Sequence, residues 1–397
     1  MERQKGIIEN HIRVIGCMKI AFISNSNPYN KIARSGVPYS IWNELSKDNE
    51  VVWIHPQRET IYEQILFIIG VVLGKIMNLF GWNMIYNPLI AQMGCHSAQR
   101  KINGNNFDCI FTMGAMTTAY LKTSLPIFCR ADSIAPSMEN YYLFNIPKCS
   151  SKITMNIEKR ALHKYTRFFV PSQWVIDEIK RFNINEPIEK FPLIETGANL
   201  DREYVQYNEH SYSTTDTLNL LFVGYDLKRK GIDEAFDATK ILREEYGIDA
   251  CLVIMGGKPE DSILESGFVR YAGKKDKNIK QEFDEFYNEF ASADLFIFPT
   301  KAECHGIVNC EAAAYGLPIF SYQTGGVPSY CVDGINGRCL PTEASGRDFA
   351  AAIFEAISDG SMQKYSKGSR RLYEEKFNWT VWGEKVRKEM TIAMKEV

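Results

Sequence analysis

The chain has 397 residues, 45% hydrophobic and 24% charged, an ordinary globular composition long enough for two core-bearing domains. A formal net charge of −2 supplies no basic field, which argues against nucleic acid as a partner and makes any phosphate binding a local matter. The ten cysteines form no C-x-x-C pair and no disulfide framework, so they are expected to be reduced, as in the cytoplasm.

Residues 1–17 lack the long apolar core of a signal peptide and read as an extension ahead of the first buried strand, "KIAFIS" at 19–24. Short β-rich runs then alternate with helical patterns, as in parallel α/β units. In the first half the strands fall at 19–24, 51–55, 109–113, 126–130, 167–171 and 188–193, with helices near 36–47, 61–80, 88–103, 114–123, 151–164 and 172–183. Within the fifth helix Ile157, Ala161 and Leu162, with Tyr165 just beyond, form one core-facing stripe.

The most apolar window, "QILFIIGVVLGKIMNLFGW" at 64–82, is broken by Lys75, and its uninterrupted part falls short of the roughly 20 residues of a membrane span. The preferred reading is a buried helix of the first domain. The alternative is a face lying on a membrane beside a lipid-linked substrate.

From Asp201 to Thr217 the chain is polar and aperiodic, a linker. A second α/β set follows, with strands at 218–224, 250–256, 268–273, 294–299, 317–322 and 337–341 and helices near 231–246, 279–291, 306–315, 346–358 and 361–375. An amphipathic helix aligning Trp382, Val386, Met390 and Met394 ends the chain. The expected organisation is an extension (1–17), a first domain (18–200), a linker (201–217), a second domain (218–377) and a closing helix (378–397).

Four stretches suggest chemistry. In "AECHGIVNCEAAAYG" the backbone amides of Gly306, Ile307 and Val308 open an Ala-rich helix, an anion site suited to phosphate. Glu303 precedes that turn and Glu311 lies inside the helix. A carboxylate does not bind phosphate, but it accepts two hydrogen bonds from a vicinal diol. A phosphate with a sugar on each side, a nucleotide sugar, is the economical ligand. In "FVGYDLKRKG" a buried strand ends at Gly224, and Lys228, Arg229 and Lys230 follow where α/β sheets bind ligands. There Lys230 first, and Arg229 second, would neutralise a diphosphate leaving group. "TGG" at 324–326 and "RSGVP" at 34–38 each put glycine after a strand, where backbone and ligand can approach closely. Cys304, His305 and Cys310 match no zinc spacing, and no metal site is expected.

Jointly these stretches resemble the retaining nucleotide-sugar glycosyltransferases of family 4, from Met18 onward. The resemblance implies an α/β protein of the GT-B fold, two facing Rossmann-like domains with a C-terminal helix crossing back to the first. It implies that Glu311 holds the nucleotide ribose, Glu303 the donor-sugar hydroxyls and Lys230 the diphosphate, while Gly36 allows the first domain to approach the donor. Tyr225 stands where the family often has Arg, leaving Arg229 as the second cation. Asp132-Ser133 stands where it often has His-Asp, and Asp132 would steer the donor sugar or an acceptor hydroxyl. His305 replaces an aromatic residue and reads as pocket wall, and Asn199 in "ETGANLD" is expected at the cleft. With Lys230, Arg229 and the helix amides in place of a divalent cation, and no D-x-D pair in a fitting loop, a metal-independent transfer is expected, needing no cofactor beyond the donor substrate; the apolar window points to a glycan or lipid-linked acceptor in cell-surface glycan synthesis, with peripheral membrane contact through 64–82 under its alternative reading. A nucleotide-sugar hydrolase or 2-epimerase, or an inactive partner subunit, shares the architecture.

Overall fold

The computed structural model of the chain describes residues 17–80, 84–205, 207, 212 and 217–396; most of the expected extension and linker lie outside them. Apolar β-branched and aromatic runs form two parallel sheets. The first holds β1 (Lys19–Ile23), β2 (Glu50–Ile54), β3 (Cys109–Thr112), β4 (Ile127–Arg130) and β5 (Arg167–Phe169) in the order β2-β1-β3-β4-β5. The second holds β6 (Leu218–Gly224), β7 (Ala250–Gly256), β8 (Val269–Gly273), β9 (Leu295–Phe298), β10 (Ile319–Tyr322) and β11 (Gly337–Leu340) in the order β11-β10-β9-β6-β7-β8. Strand order reverses beside β1 in one sheet and beside β6 in the other. Such switch points open a crevice past the strands' carboxyl ends.

Helices cover both sheets. The expected stripe of Ile157, Ala161, Leu162 and Tyr165 is fully buried against β4 and β5 neighbours. The closing helix Trp379–Glu396 does not belong to the second sheet's core. Its Trp382, Val386, Met390 and Ala393 lie at 0% exposure among Ile20, Phe22, Phe111, Phe128 and Phe169 of the first sheet. Arg167 of β5 donates to Glu396 at 2.7 Å, and Lys385 pairs with Glu195 at 3.1 Å.

Three expectations are corrected. Residues 114–123 do not form a helix; only a 3-10 turn, Ala115–Thr117, is present. The hydroxyls of Thr117 and Thr118 donate to the Gly114 carbonyl, and Thr112 and Thr117 bond at 2.8 Å, local bonds that displace the helical ladder. Residues 188–193 make a 3-10 turn, Ile188–Lys190, and a single bridge from Leu193 to Val170, because Pro187 and Pro192 lack the donors a strand needs.

The third correction concerns the apolar window. It forms the helix Ile61–Leu79, long and apolar enough to cross a membrane by length and composition, yet it is largely uncovered. One side is docked firmly. Thr60 and Glu63 form a capping box, Glu63 is fully buried and bonds Arg100 and His96 at 3.0 Å each, and Gly70 gives its carbonyl to Asn87 at 2.7 Å. Burial pushes Glu63 up, but the bonds from Arg100 and His96 outweigh it and hold the carboxyl at about 2. The opposite side exposes Ile61, Ile65, Ile68, Ile69, Val72, Leu73, Ile76, Leu79 and Phe80. The burial expected for this stretch is therefore overturned, and residues 81–82 lie outside the described set.

Trp382→Ala should destabilise the first domain by about 3–5 kcal/mol, since removing a large ring at 0% exposure, packed edge to face on Phe111 and Trp379, leaves an unfilled cavity. Urea unfolding followed by tryptophan fluorescence and circular dichroism checks this; a change under about 1 kcal/mol would mean that the helix is not part of that core.

Candidate active site

At the two switch points the domains enclose a cleft of about 550 Å³. From the second domain, β6 delivers the loop that runs into the single helical turn Leu227–Lys230, and β9 delivers the segment 299–306 that opens the helix Ile307–Ala314. From the first, the cleft is walled by Lys31, Arg34, Ser35, Asp132, Met138 and Tyr142.

The loop after β6 works because of its glycines. A side chain on Gly224 would collide with the stem of Lys230, and Gly231, at φ +82°, lies against the Pro299 carbonyl. Lys230 is thereby folded back over the β9 end, its ammonium 4.6 Å from the Phe298 ring centre and paired with Glu303. Arg229 donates to the Ala302 carbonyl at 2.7 Å and approaches Glu303 to 3.8 Å. Burial pushes the Glu303 carboxyl up, but Lys230, with His305 and Arg229, outweighs it and holds Glu303 below the usual range. Lys230 itself is lowered by burial, an effect that Glu303 only partly offsets.

Glu311, expected near the ribose, is 4% exposed and reaches the cleft from inside the helix. Its partner is Lys277, at 2.6 Å; the same ammonium donates to the Asn199 carbonyl at 3.1 Å and sits 4.0 Å from the Phe286 ring centre. Burial raises Glu311 above the ordinary carboxylate range, with Lys277 pulling the other way. Each buried carboxylate thus has its own lysine.

Between them stands the helix end. Gly306 is its N-cap at φ +71°, in the left-handed region, and no side chain caps it. Ile307 and Val308 follow on the cleft wall. Amides at an uncapped N-terminus carry the partial positive charge of the helix and favour an anion. His305, just before the turn, is 6% exposed, with Nδ1 3.3 Å from Asp132. Burial lowers its pKa, with the Asp132 carboxylate pulling the other way. Asp132 is also bound by the buried Arg130, which in turn donates to Thr196. Burial pushes Asp132 up, but Arg130, His305 and Arg34 outweigh it and keep the carboxyl ionised.

Of the residues picked from sequence, Asp132, Arg229, Lys230, Glu303, His305, Gly306, Ile307, Val308 and Glu311 all line this one cleft. Gly36 does not. At φ +81° it packs against the Lys31 carbonyl and Asn199, and the wall beside it is made by Arg34 and Ser35. Asn199 also sits behind the wall, accepting from Ser40 at 2.7 Å and from the Trp379 indole at 2.8 Å. Sequence reasoning missed Lys277, one of four lysines in "KKDKNIK", and Arg130 at the end of β4. It also missed Tyr141 and Tyr142. Their hydroxyls cross from the first domain to accept the amide hydrogens of Glu303 (2.8 Å) and Cys304 (3.2 Å).

Residues 208–372 match the family described as glycosyl transferases group 1. In three dimensions the chain is similar to HepE of Anabaena, solved with UDP and glucose, at TM-score 0.60 and 14% identity over 94% of this chain and 100% of HepE. The fold is GT-B. A similar GT-B likeness extends to sucrose-phosphate synthase of Thermosynechococcus elongatus, at TM-score 0.66 and 14% identity over 96% of this chain and 100% of that one. By sequence, the lipopolysaccharide glucosyltransferase WaaG of Escherichia coli is 25% identical over 216 residues, 50% of this chain and 55% of WaaG. An uncharacterized glycosyltransferase of Methanocaldococcus jannaschii is 26% identical over 182 residues, 44% of this chain and 47% of its own length. The chain thus spans about half the length of these two curated relatives.

Because Lys277 and Glu311 neutralise each other away from water, Lys277→Met and Glu311→Gln should each destabilise the second domain, and the double variant should lose less than their sum by about 1–3 kcal/mol. A double-mutant cycle in urea measures this coupling, and strict additivity would refute the pairing.

Proposed function

We propose that the protein transfers a sugar from a nucleotide-sugar donor to an acceptor hydroxyl, with retention at the anomeric carbon and without a metal ion. The observation that carries this reading is the placement of Glu303 and Glu311 in one cleft, on either side of a helix N-terminus that no side chain caps. The helix amides, Lys230 and Arg229 receive the diphosphate, Glu311 accepts from the ribose diol and Glu303 accepts from hydroxyls of the transferred sugar. Since each carboxylate already has a lysine partner, the donor exchanges one set of hydrogen bonds for another rather than meeting a bare buried charge.

As the bond between C1 and the diphosphate oxygen breaks, negative charge grows beside Lys230 and Arg229, which stabilise it. The acceptor oxygen bonds to C1 from the same face, and its proton passes to the departing phosphate oxygen. Asp132, held ionised by Arg130, orients a hydroxyl of the donor sugar or acceptor.

The acceptor belongs, in this reading, to a cell-surface glycan assembled at the cytoplasmic side of a membrane. Two sequence relatives are named for lipopolysaccharide and capsular polysaccharide synthesis, which supports it. The exposed stripe of the helix Ile61–Leu79 supports it independently. Its apolar side chains cover an arc of about 140° on the helical wheel, flanked by exposed Lys75 and preceded by exposed Arg58. So wide an apolar face is more than a monomer ordinarily leaves to water. Its buried Glu63 ties the opposite side to the domain, so the helix lies in the plane of the lipid rather than across it.

A thermal-shift panel of UDP-, GDP- and ADP-sugars should raise the melting temperature with one nucleotide class, and Glu311→Ala should abolish that rise; unchanged affinity in this variant would defeat the scheme. With the donor so identified, turnover should persist in excess EDTA, and proton NMR of the first product should show the donor's anomeric configuration. The chain should co-sediment with phosphatidylglycerol vesicles, whereas Ile68→Glu/Val72→Glu, folded by circular dichroism, should stay in the supernatant.

A further inference from the structure

The loop 299–306 carries Glu303, yet the second domain alone does not fix it. On its own side Arg229 holds the Ala302 carbonyl, and the amide of Gly326 donates to the Glu303 carbonyl at 3.0 Å. The next two donors, the amides of Glu303 and Cys304, both turn toward the first domain, where the hydroxyls of Tyr141 and Tyr142 accept them. These are charge-free bonds, but they fall on consecutive residues and come from consecutive residues, which fixes the register of the contact.

Each hydroxyl does more. Tyr141 bonds Thr324 Oγ1 at 2.9 Å, and its hydroxyl rests where Gly325 has no side chain. Tyr142 also donates to Glu303 Oε1 at 3.5 Å, and the Arg229 guanidinium lies 5.0 Å from its ring centre. The two rings meet edge to face at 5.2 Å, and Tyr141 leans on Trp174 of its own domain. The pair therefore touches the backbone, the carboxylate and the neighbouring cation of one end of the cleft. Glu311 and Lys277, at the other end, receive nothing from it. They are held by Phe286 and by the Asn199 carbonyl, next to the point where the chain passes from one domain to the other.

We propose that Tyr141 and Tyr142 are positioning residues that make the sugar end of the cleft, but not its nucleotide end, depend on closure of the two domains. With the domains apart, the amides of Glu303 and Cys304 face water and Glu303 loses one donor, while Glu311 keeps Lys277, and Lys277 keeps the Phe286 ring, within the second domain. A nucleoside diphosphate then binds an end that is already built, and the intact donor binds one that closure completes. The tyrosine pair thus keeps the reactive sugar carbon from being presented until the first domain, which carries Asp132, has arrived. This proposal rests on the donor-binding reading above for its kinetic arm, and has a second arm that does not.

In the kinetic arm, Tyr142→Phe and Thr324→Val are compared with the wild type, using the nucleotide sugar and nucleoside diphosphate selected by the thermal-shift panel. Both substitutions keep size and shape. The expected result is diphosphate affinity within about twofold of wild type, with kcat/KM for the sugar donor lowered about tenfold in Tyr142→Phe, which loses a bond to an ionised group, and about threefold in Thr324→Val, which loses the neutral bond to Tyr141. Parallel loss of diphosphate affinity, or unchanged kcat/KM, would overturn the proposal. In the second arm, small-angle X-ray scattering without ligand should give a larger radius of gyration for Tyr141→Phe/Tyr142→Phe than for wild type. Equal radii would overturn the role of the tyrosine pair in closure, whatever the chain proves to bind, while a larger radius with no nucleotide sugar binding the wild type would fault only the donor reading.

Discussion

Burying a charge requires a partner, and this cleft is organised around that requirement. Two carboxylates are placed where water is largely excluded, and each is answered by one lysine from a different part of the second domain. Lys230 comes from the turn after β6 and Lys277 from the segment after β8, so both loops are pinned by the charge they neutralise. The glycines of the site follow from the same demand: Gly224 and Gly231 let Lys230 fold back, and Gly325 and Gly326 bring a turn flush against the backbone of the Glu303 loop.

The first domain adds a second layer. Arg130, fully enclosed at the end of β4, holds Asp132 on one side and Thr196 on the other, so the wall residue and the segment leading to the second domain are set together. Asn199 repeats the arrangement nearer the surface, where one side chain joins the Ser35 carbonyl, the Ser40 hydroxyl and the indole of Trp379. Both side chains sit where segments from separate parts of the sequence converge, which is why the cleft has defined walls.

What was legible in the sequence was what depends on short-range pattern. Alternating apolar runs gave the strands, and the Ala-rich run after Gly306 gave a helix whose end faces the cleft together with Glu303 and Glu311. Chemistry spread across the chain was harder to read. Lys277 carries no local mark, since its role comes from a partner 34 residues away. The tyrosine pair acts across 162 residues, and nothing local marks it. The window at 64–82 failed for another reason: its apolar content is the same whether a domain or a lipid covers it, and only the placement of Glu63 and Gly70 shows which side is docked. At 114–123 threonine hydroxyls competed with the helix, a contest that composition alone does not decide.

The closing helix has a consequence for how the chain is made. Trp382, Val386 and Met390 seal a core whose other members begin at Met18. The lobe synthesised first therefore cannot be finished until the residues from Trp379 to Ala393 have been made, and until then the aromatic face formed by Phe22, Phe111 and Phe169 waits open.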